Sequence, residues 1–473
     1  MAPSPIRSWQ LRVTGIVLST VAGLAFWAWF NLARVDGAAV FDDPVEHYKY
    51  GGLTLKQGFP YYLWVVIPDV FQDLLPVPGG WDVFGFIEEG RGIPVGFAKQ
   101  TVGFPGLTPN CALCHTGAYR TSPDANRVVV PGAPAAALDF QAFNDFVFAA
   151  AADDRFRSDV LMPAIQARFD LSASERLVYR LLLIPTVRRT ILKQEREAAW
   201  LTSRPPAGRG RFDAFNLFKF TVLGLPDDGS SGTSDYPPLW NHAARSGQFL
   251  HWNGSSNQLD EDDHMSVYPL NDGPKGFQPE SFARVREFLM GIPTPAYPFS
   301  IDGAAAERGA LVFEGECASC HESPGVGQVT PQRTVGTDST FLGMWTEDFV
   351  VALKGIDDPP FAFPSLRVTD GFVNVPLDGV WMRAPFLHNG SVPTLRHLLS
   401  PAAERPAVFL RGSELYDSVA VGFDWGVATE SNGPSNWSVF DTSLRGNSNE
   451  GHEYGITLSE EAKRDMIEYL KTR

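Results

Sequence analysis

The sequence has 473 residues, which is enough for two domains with sizeable cores. Its content of 44% hydrophobic and 20% charged residues is that of an ordinary globular protein. The formal net charge of -15 argues against nucleic-acid binding and favours a basic protein partner.

The first feature along the chain is an uncharged run from Val13 to Leu32, which is long enough to span a bilayer. Arg7 and Arg12 precede it, and a Trp/Phe cluster at its far end is typical of an interfacial aromatic belt. We therefore predict that residues 1–35 anchor the chain in the bacterial inner membrane, with the bulk in the periplasm. The alternative is a signal peptide cleaved near residues 37–39, which would leave a soluble periplasmic protein.

We predict a first domain over residues 40–291. Gly and Pro indicate loops and short strands up to residue 110, where the first pair of cysteines begins. The next segment, 135–169, predicts helical structure, and a capping box at 172–175 opens a second helix that runs to Pro185. A basic helix is expected beyond Pro185. Residues 212–280 predict a loop-rich aromatic wall, and residues 282–290 predict a short helix.

A proline-rich connection leads to a second predicted domain, residues 300–473. Asp302 is the expected N-cap of a helix that runs through Phe313 towards the second pair of cysteines. A terminal helix is predicted from Ser459 to Lys471, with acidic residues in its first turn and one apolar face.

All four cysteines lie in two copies of Cys-x-x-Cys-His, formed by Cys111, Cys114 and His115 and by Cys317, Cys320 and His321. This is the attachment signature of c-type haem, in which two thioethers hold the haem and the histidine binds iron. A lone Cys-x-x-Cys also suits a zinc half-site or a redox dithiol. Because both pairs are followed at once by histidine, we predict two covalently bound c-type haems. The 34 Phe, 12 Trp and 12 Tyr suit a chain that shields haem from water.

The remaining axial positions decide the chemistry, because an iron filled on both faces mainly passes electrons while an open face binds peroxide or oxygen. In cytochrome c folds the loop before the terminal helix commonly supplies the distal ligand, and His452 lies there. We therefore predict His321 and His452 as ligands of the second iron. Met344, Met382 and Met466 are weaker alternatives.

The stretch from Arg383 to Leu395 resembles a signature loop of the bacterial dihaem cytochrome c peroxidase superfamily. The chain is more particularly similar to the rubber-oxygenase-like branch of that superfamily, over about residues 80–473. The segments that carry this likeness are 237–241, 251–254, 405–409 and 451–455.

The resemblance implies that His115 holds a reactive iron, that His321 and His452 hold an electron-transfer iron, and that His388 lies in the loop between them. Together with the uncharged N-terminal run, it leads us to predict a mainly α fold of two cytochrome c-like domains with long loops and a helical insertion, preceded by one transmembrane helix. Peroxidases of the superfamily place a methionine ligand where this chain has Ala402, and a capping histidine where it has Pro131.

We therefore predict that the protein reduces hydrogen peroxide at the first haem with electrons relayed through the second, supplied by a small basic cytochrome. The candidate catalytic residues are His115, His251, Trp252 and His388. His251, or a carboxylate such as Glu261, would move the proton, and Trp240 and Trp252 would wall the haems. Two alternatives stay open. One is an oxygenase that uses O2 on an apolar substrate, and the other is an electron carrier in which His251 or His264 closes the first iron.

Overall fold

A computed structural model of the chain describes residues 34–271, 274–426 and 437–473, with four isolated positions nearer the N-terminus. The predicted anchor at Val13 to Leu32 lies outside the described residues apart from those four positions. Among the residues that are described, no helix combines the length and the apolar character needed to cross a membrane.

The helices of the described chain alternate with long irregular connections. In chain order they are α1 Pro44–Tyr50, α2 Tyr61–Val70, α3 Phe140–Ala152, α4 Ser158–Arg168, α5 Ala173–Val178, α6 Ile184–Glu197, α7 Ala214–Asn216, α8 Leu259–Asn271, α9 Pro279–Gly291, α10 Gly303–Glu316, α11 Ala318–His321, α12 Gln332–Val335, α13 Glu347–Lys354, α14 Leu395–Leu398 and α15 Glu460–Leu470.

The strands are short and pair antiparallel, as one three-stranded and six two-stranded sheets within the described ranges. They are β1 Phe59–Pro60, β2 Phe97–Val102, β3 Phe104–Pro109, β4 Thr116–Tyr119, β5 Val128–Pro131, β6 Arg211–Phe212, β7 Ser234–Asp235, β8 Val329–Pro331, β9 Asp357–Asp358, β10 Phe361–Ala362, β11 Gly371–Val373, β12 Val408–Arg411, β13 Tyr416–Asp417, β14 Gly422–Phe423 and β15 Ser438–Asp441.

The fold is therefore mixed, with 41% of residues in helices and 13% in strands, and the predicted mainly α class needs correction. The extra strands come from Gly- and Pro-rich connections that we predicted mostly as loops. Backbone groups of a connection that is packed against the core need partners, and local hairpins supply them. The predicted loop-rich region 212–280 also contains a helix that the sequence did not indicate, α8.

The capping box at the start of α5 is confirmed, because Ser172 accepts from the Glu175 amide and the Glu175 side chain accepts from the Ser172 amide. The predicted helix end at Pro185 is wrong, because α5 continues through a π-helical turn at Tyr179–Leu183 directly into α6. Pro185 stands in the first turn of α6, just after this wide turn, where a proline lacking an N–H is tolerated.

The second half of the chain is built on two helices that pack against each other, α10 and α15. The predicted caps are confirmed: Asp302 accepts from the Ala305 amide, and Ser459 accepts from the Ala462 amide. At the crossing the backbones come so close that a Cβ atom on Gly309 would lie 2.0 Å from the carbonyl oxygen of Asp465. Helices before the second motif and at the chain end thus form the core of this half.

The buried apolar side chains form three clusters. One lies within the first half of the chain around Trp64 and Trp81. A second joins apolar residues of α10 and α15 to the segment 380–423 and to Tyr119 and Trp240 of the first predicted domain. The third joins residues from both predicted domains, since Phe215 packs on Phe341 and Trp345. The limits 40–291 and 300–473 remain predictions, and the halves share a core between them.

Candidate functional site

The first motif folds as a tight turn that fixes its histidine. Asn110 opens the turn Cys111–Leu113 by accepting from the Ala112 amide at 3.0 Å. His115 Nδ1 lies 2.8 Å from the Pro237 carbonyl oxygen and donates to it, which leaves Nε2 as the free ring nitrogen. Burial lowers the pKa of His115 to about 4, so the ring is neutral, the form that binds a metal.

The second motif is held in the same way. It lies on α11, where His321 Nδ1 donates to the Val375 carbonyl oxygen at 2.7 Å. Burial lowers the pKa of His321 and lowers that of His452 to about 4, so both rings are neutral at physiological pH.

His452 faces His321 with 6.2 Å between the ring centroids. Two metal–nitrogen bonds of about 2.0 Å and a centroid about 1.1 Å behind each nitrogen would separate the centroids by about 6 Å. The spacing therefore fits one metal ion between two imidazoles. Met466 lines the same cavity, whereas Met344 and Met382 are buried in the apolar clusters. His452 is thus the ligand that the geometry favours.

Each motif opens into its own cavity. The first cavity, of about 230 Å³, is lined by Cys111 and His115, and the second, of about 220 Å³, by Cys317, Cys320, His321 and His452. Most of the remaining lining of both is apolar and aromatic. Two cavities beside two Cys-x-x-Cys-His motifs fit a large planar cofactor at each.

The zinc and dithiol alternatives fit these cysteines less well. Burial raises the pKa of Cys111 and Cys114 to about 12 and that of Cys317 to about 11, so the thiols are protonated. Disulfide exchange needs a thiolate, which this burial disfavours. In the part of the chain that the structure describes, no three His, Cys, Asp or Glu side chains converge to hold a metal ion.

Trp252 lines both cavities and forms part of the wall between them. Its indole Nε1 donates to the Asp235 carbonyl oxygen at 3.1 Å, and its own carbonyl oxygen accepts from the Val373 amide at 2.9 Å. The Asp235 amide in turn donates to the His388 carbonyl oxygen at 2.9 Å. Trp252 is therefore fixed to the loop that carries His388. Trp240, also predicted to wall the haems, instead packs in the core with its Nε1 donating to the Asp378 carbonyl oxygen.

A buried ion pair lies in the first cavity. His251 Nε2 lies 2.5 Å from Asp262 Oδ1, so the two side chains form an ion pair when His251 is protonated. Burial lowers the pKa of His251, but attraction to Asp262 and Asp263 outweighs burial and raises this pKa above its ordinary value. Asp263 also pairs with His242, at 2.9 Å.

The sequence did not identify Asp262 and Asp263 as site residues. Glu261, which we named instead, accepts from the Ser365 amide at 2.9 Å on another face of α8. His264 packs among Phe277, Phe282 and Phe361 and does not itself line the first cavity, although Phe282 does. The run of acidic residues at 260–263 could have indicated a site in the sequence. Which of these carboxylates face the first cavity, however, depends on how α8 packs.

Two positions, Pro131 and Ala402, depart from the peroxidase pattern, while His388 belongs to the loop that resembles it. Pro131 pairs with Thr116 in the β4–β5 hairpin beside His115. The Ala402 amide donates to Glu453, so the place of the peroxidase methionine lies next to His452. His388 is buried over the ring of Phe372 and lines the second cavity, with Nε2 unpartnered among the described residues.

Comparison with known proteins places these residues in context. A family model described as RoxA-like, cytochrome c-like, matches residues 371–410. The chain therefore carries a cytochrome c-like, haem-binding domain. Two proteins of Sinorhizobium fredii are similar: uncharacterized protein y4iM is 32% identical over 57% of this chain and 72% of its own length, and uncharacterized protein y4iJ is 26% identical over 83% and 84%.

Among solved structures, hydrazine synthase of Kuenenia stuttgartiensis pressurized with xenon matches 53% of this chain and 75% of that chain. The identity is 14% and the TM-score is 0.27, which is too low to support an argument about fold or function.

Proposed function

The chain belongs to the family of protein y4iM, whose name assigns no activity, and on that premise we propose that it is a two-haem c-type oxidoreductase. In this proposal His115 binds the iron of a reactive haem in the first cavity. His321 and His452 bind the iron of an electron-transfer haem in the second. A haem bound through one histidine supplies an open iron position, and one bound through two histidines supplies electrons.

The proposed reaction is the reduction of hydrogen peroxide, in which one peroxide takes up two electrons and two protons and yields two water molecules. The observation that carries it is the ion pair of His251 and Asp262 in the cavity of His115. Splitting peroxide requires a group that moves a proton between its oxygens. A buried imidazole whose protonated form is stabilised by a carboxylate is suited to that step. Asp262 holds the charge, and His251 gives and regains the proton.

The experiment compares two aspartates of the same helix. Asp262→Asn removes the carboxylate beside His251, while Asp260→Asn alters an aspartate whose side chain is 76% exposed and pairs with Arg286. Peroxide is mixed with the protein and a reduced small basic cytochrome, and oxidation of the cytochrome is followed. We expect Asp262→Asn to lose about 100-fold or more in rate, the usual contribution of general acid–base catalysis, and Asp260→Asn to keep it. Equal rates in both variants would contradict the proposal.

A second candidate reaction is oxidation of an apolar substrate by O2. It is favoured by the aromatic lining of the first cavity, which includes Phe212, Phe215, Phe249, Phe282 and Phe341. A dry apolar cavity binds apolar substrates and keeps water away. Oxygen consumption that depends on such a substrate, with no peroxide-dependent oxidation of the cytochrome, would favour this reaction. Inertness to both oxidants would leave an electron carrier.

The location and the electron donor are part of the proposal. The uncharged N-terminal run supports attachment to the inner membrane with the bulk in the periplasm, and cleavage within residues 37–39 would release a soluble protein. The net charge of -15 supports a basic donor cytochrome, because opposite charges steer association. Protease added to spheroplasts should digest the bulk of the chain, and a protected bulk would contradict this orientation.

A further inference from the structure

Three arginines line the first cavity: Arg286, which pairs with Asp260 and Asp263, and Arg245 and Arg383, of which Arg383 lines the second cavity as well. The guanidinium Nε and Nη2 of Arg245 are buried and have no hydrogen-bond partner in the described ranges. Nε of Arg383 is in the same condition, although its other nitrogens donate to the carbonyl oxygens of Pro376 and Asp378. Both side chains thus retain unused donors inside the molecule.

The two cations also lack an ion-pair partner among the described residues. Neither forms an ion pair within 4.0 Å with any carboxylate of residues 34–271, 274–426 or 437–473. Burial is the main cause that lowers the pKa of each, and the neighbouring Arg245 lowers that of Arg383 further. A buried charge without an ion-pair partner is destabilising, and a second like charge nearby adds to the cost. Such an arrangement is stable when an anion binds between them.

The shape of the donors identifies the chemical class of the anion. A guanidinium presents N–H groups in a planar fork that matches the two oxygens of a carboxylate. Asp262 and Asp378 attract Arg245 from a distance, but Asp262 is engaged with His251. The cavity therefore offers a place for carboxylates that the protein chain itself does not supply.

We infer that Arg245 and Arg383 form a carboxylate-binding site at the wall between the two cavities, filled by the propionates of bound haem. The inference rests on the proposed two-haem function and adds a role for two residues outside the Cys-x-x-Cys-His motifs. Both act as positioning residues: they orient the haem edge and place positive charge beside it. A carboxylate-bearing substrate has the same chemistry and is the competing source.

The test uses the haem-loaded protein and four variants: Arg245→Gln, Arg245→Lys, Arg383→Gln and, as control, Arg333→Gln. Arg333 is 76% exposed and pairs only with Asp370 on the surface. Resonance Raman spectra report the propionate bending bands, and redox titration reports the midpoint potentials. A pyridine haemochrome assay counts covalent haem in each sample, which tests the proposed function separately.

We expect the propionate bands to shift in Arg245→Gln and Arg383→Gln and to stay in place in Arg333→Gln. Loss of a cation beside the haem favours the oxidised form. The equilibrium constant for reduction should therefore fall about tenfold, which lowers the midpoint potential by about 59 mV for one electron. Arg245→Lys keeps the charge but not the fork, so it should recover most of the potential while the bands remain shifted. Unshifted bands and potentials equal to the control would overturn the inference.

A last measurement separates the two sources of carboxylate. Wild-type protein and Arg245→Gln are titrated with sodium acetate at constant ionic strength while the Soret band is followed. If propionates fill the site, acetate should change neither spectrum. If acetate binds the wild type and not Arg245→Gln, and the propionate bands are unchanged, the site takes an external carboxylate and the assignment to haem is wrong.

Discussion

The close crossing of α10 and α15 gives a prediction whose size follows from the coordinates. In Gly309→Ala the new Cβ would stand 2.0 Å from the Asp465 carbonyl oxygen and 2.5 Å from its carbon. Non-bonded atoms of this kind need a separation of roughly 3 Å or more, so the two helices must move apart by about 1 Å. Because both contacting groups are helix backbone, neither can rotate away.

Two effects of opposite sign set the change in stability. Replacing glycine by alanine inside a helix gains about 1 kcal/mol in helix propensity. Overpacking typically costs about 1–3 kcal/mol, and a clash between backbones belongs at the upper end. We therefore expect a net loss of about 2 kcal/mol in the free energy of unfolding, or about 4–8 °C in Tm for a domain of this size.

Gly315 provides a control in the same helix, because a Cβ added there meets nothing within 4 Å. Gly315→Ala should leave the Tm unchanged or raise it, since only propensity changes. Thermal unfolding followed by circular dichroism gives both values, and the Soret band of the haem-loaded protein shows whether the second site loosens. The packing argument is refuted if Gly309→Ala melts at or above Gly315→Ala.

Three further predictions concern the sites and the pH dependence. His452→Ala should convert one low-spin haem to high-spin in the EPR spectrum, because the iron loses a nitrogen ligand, and a surviving low-spin signal would contradict the assignment. Replacing Cys111 and Cys114 together by Ala should remove one covalent haem of two in a pyridine haemochrome assay, and loss of both or neither would show that the motifs do not serve separate haems. Burial raises the pKa of Asp213 to about 7, so the folded state binds this proton more tightly than the unfolded state does. The free energy of unfolding should therefore fall as the pH rises from about 4 to 7, by at most about 4 kcal/mol. Asp213→Asn should remove that part of the pH dependence of Tm, and an unchanged profile would count against it.

The features that could be predicted from the sequence are local or depend on chain order. The Cys-x-x-Cys-His motifs are complete within five residues, and the caps at Ser172 and Asp302 are confirmed because each involves groups three residues apart. His452 was predicted as a ligand from its position just before the terminal helix. These inferences need no knowledge of tertiary packing.

The features that could not be predicted depend on contacts between distant segments. Asp262 reaches His251 only because α8 turns that face towards the first cavity. The π-helical turn before Pro185 arises from backbone geometry that residue spacing does not report. The unpartnered donors of Arg245 become visible only when every neighbour is in place. The periodicity of the sequence could predict helices, whereas the arrangement of charged side chains around the cavities could be recognised only in the folded structure.

The wall that holds Trp252 has a consequence for how such a protein can be altered. The Trp252 side chain borders both cavities and is part of the wall that they share. A substitution there changes the surroundings of both compartments at once, and neither can be optimised without disturbing the other. Under the proposed two-haem function, a substitution at Trp252 would shift both reduction potentials, so its effect has to be measured on the pair.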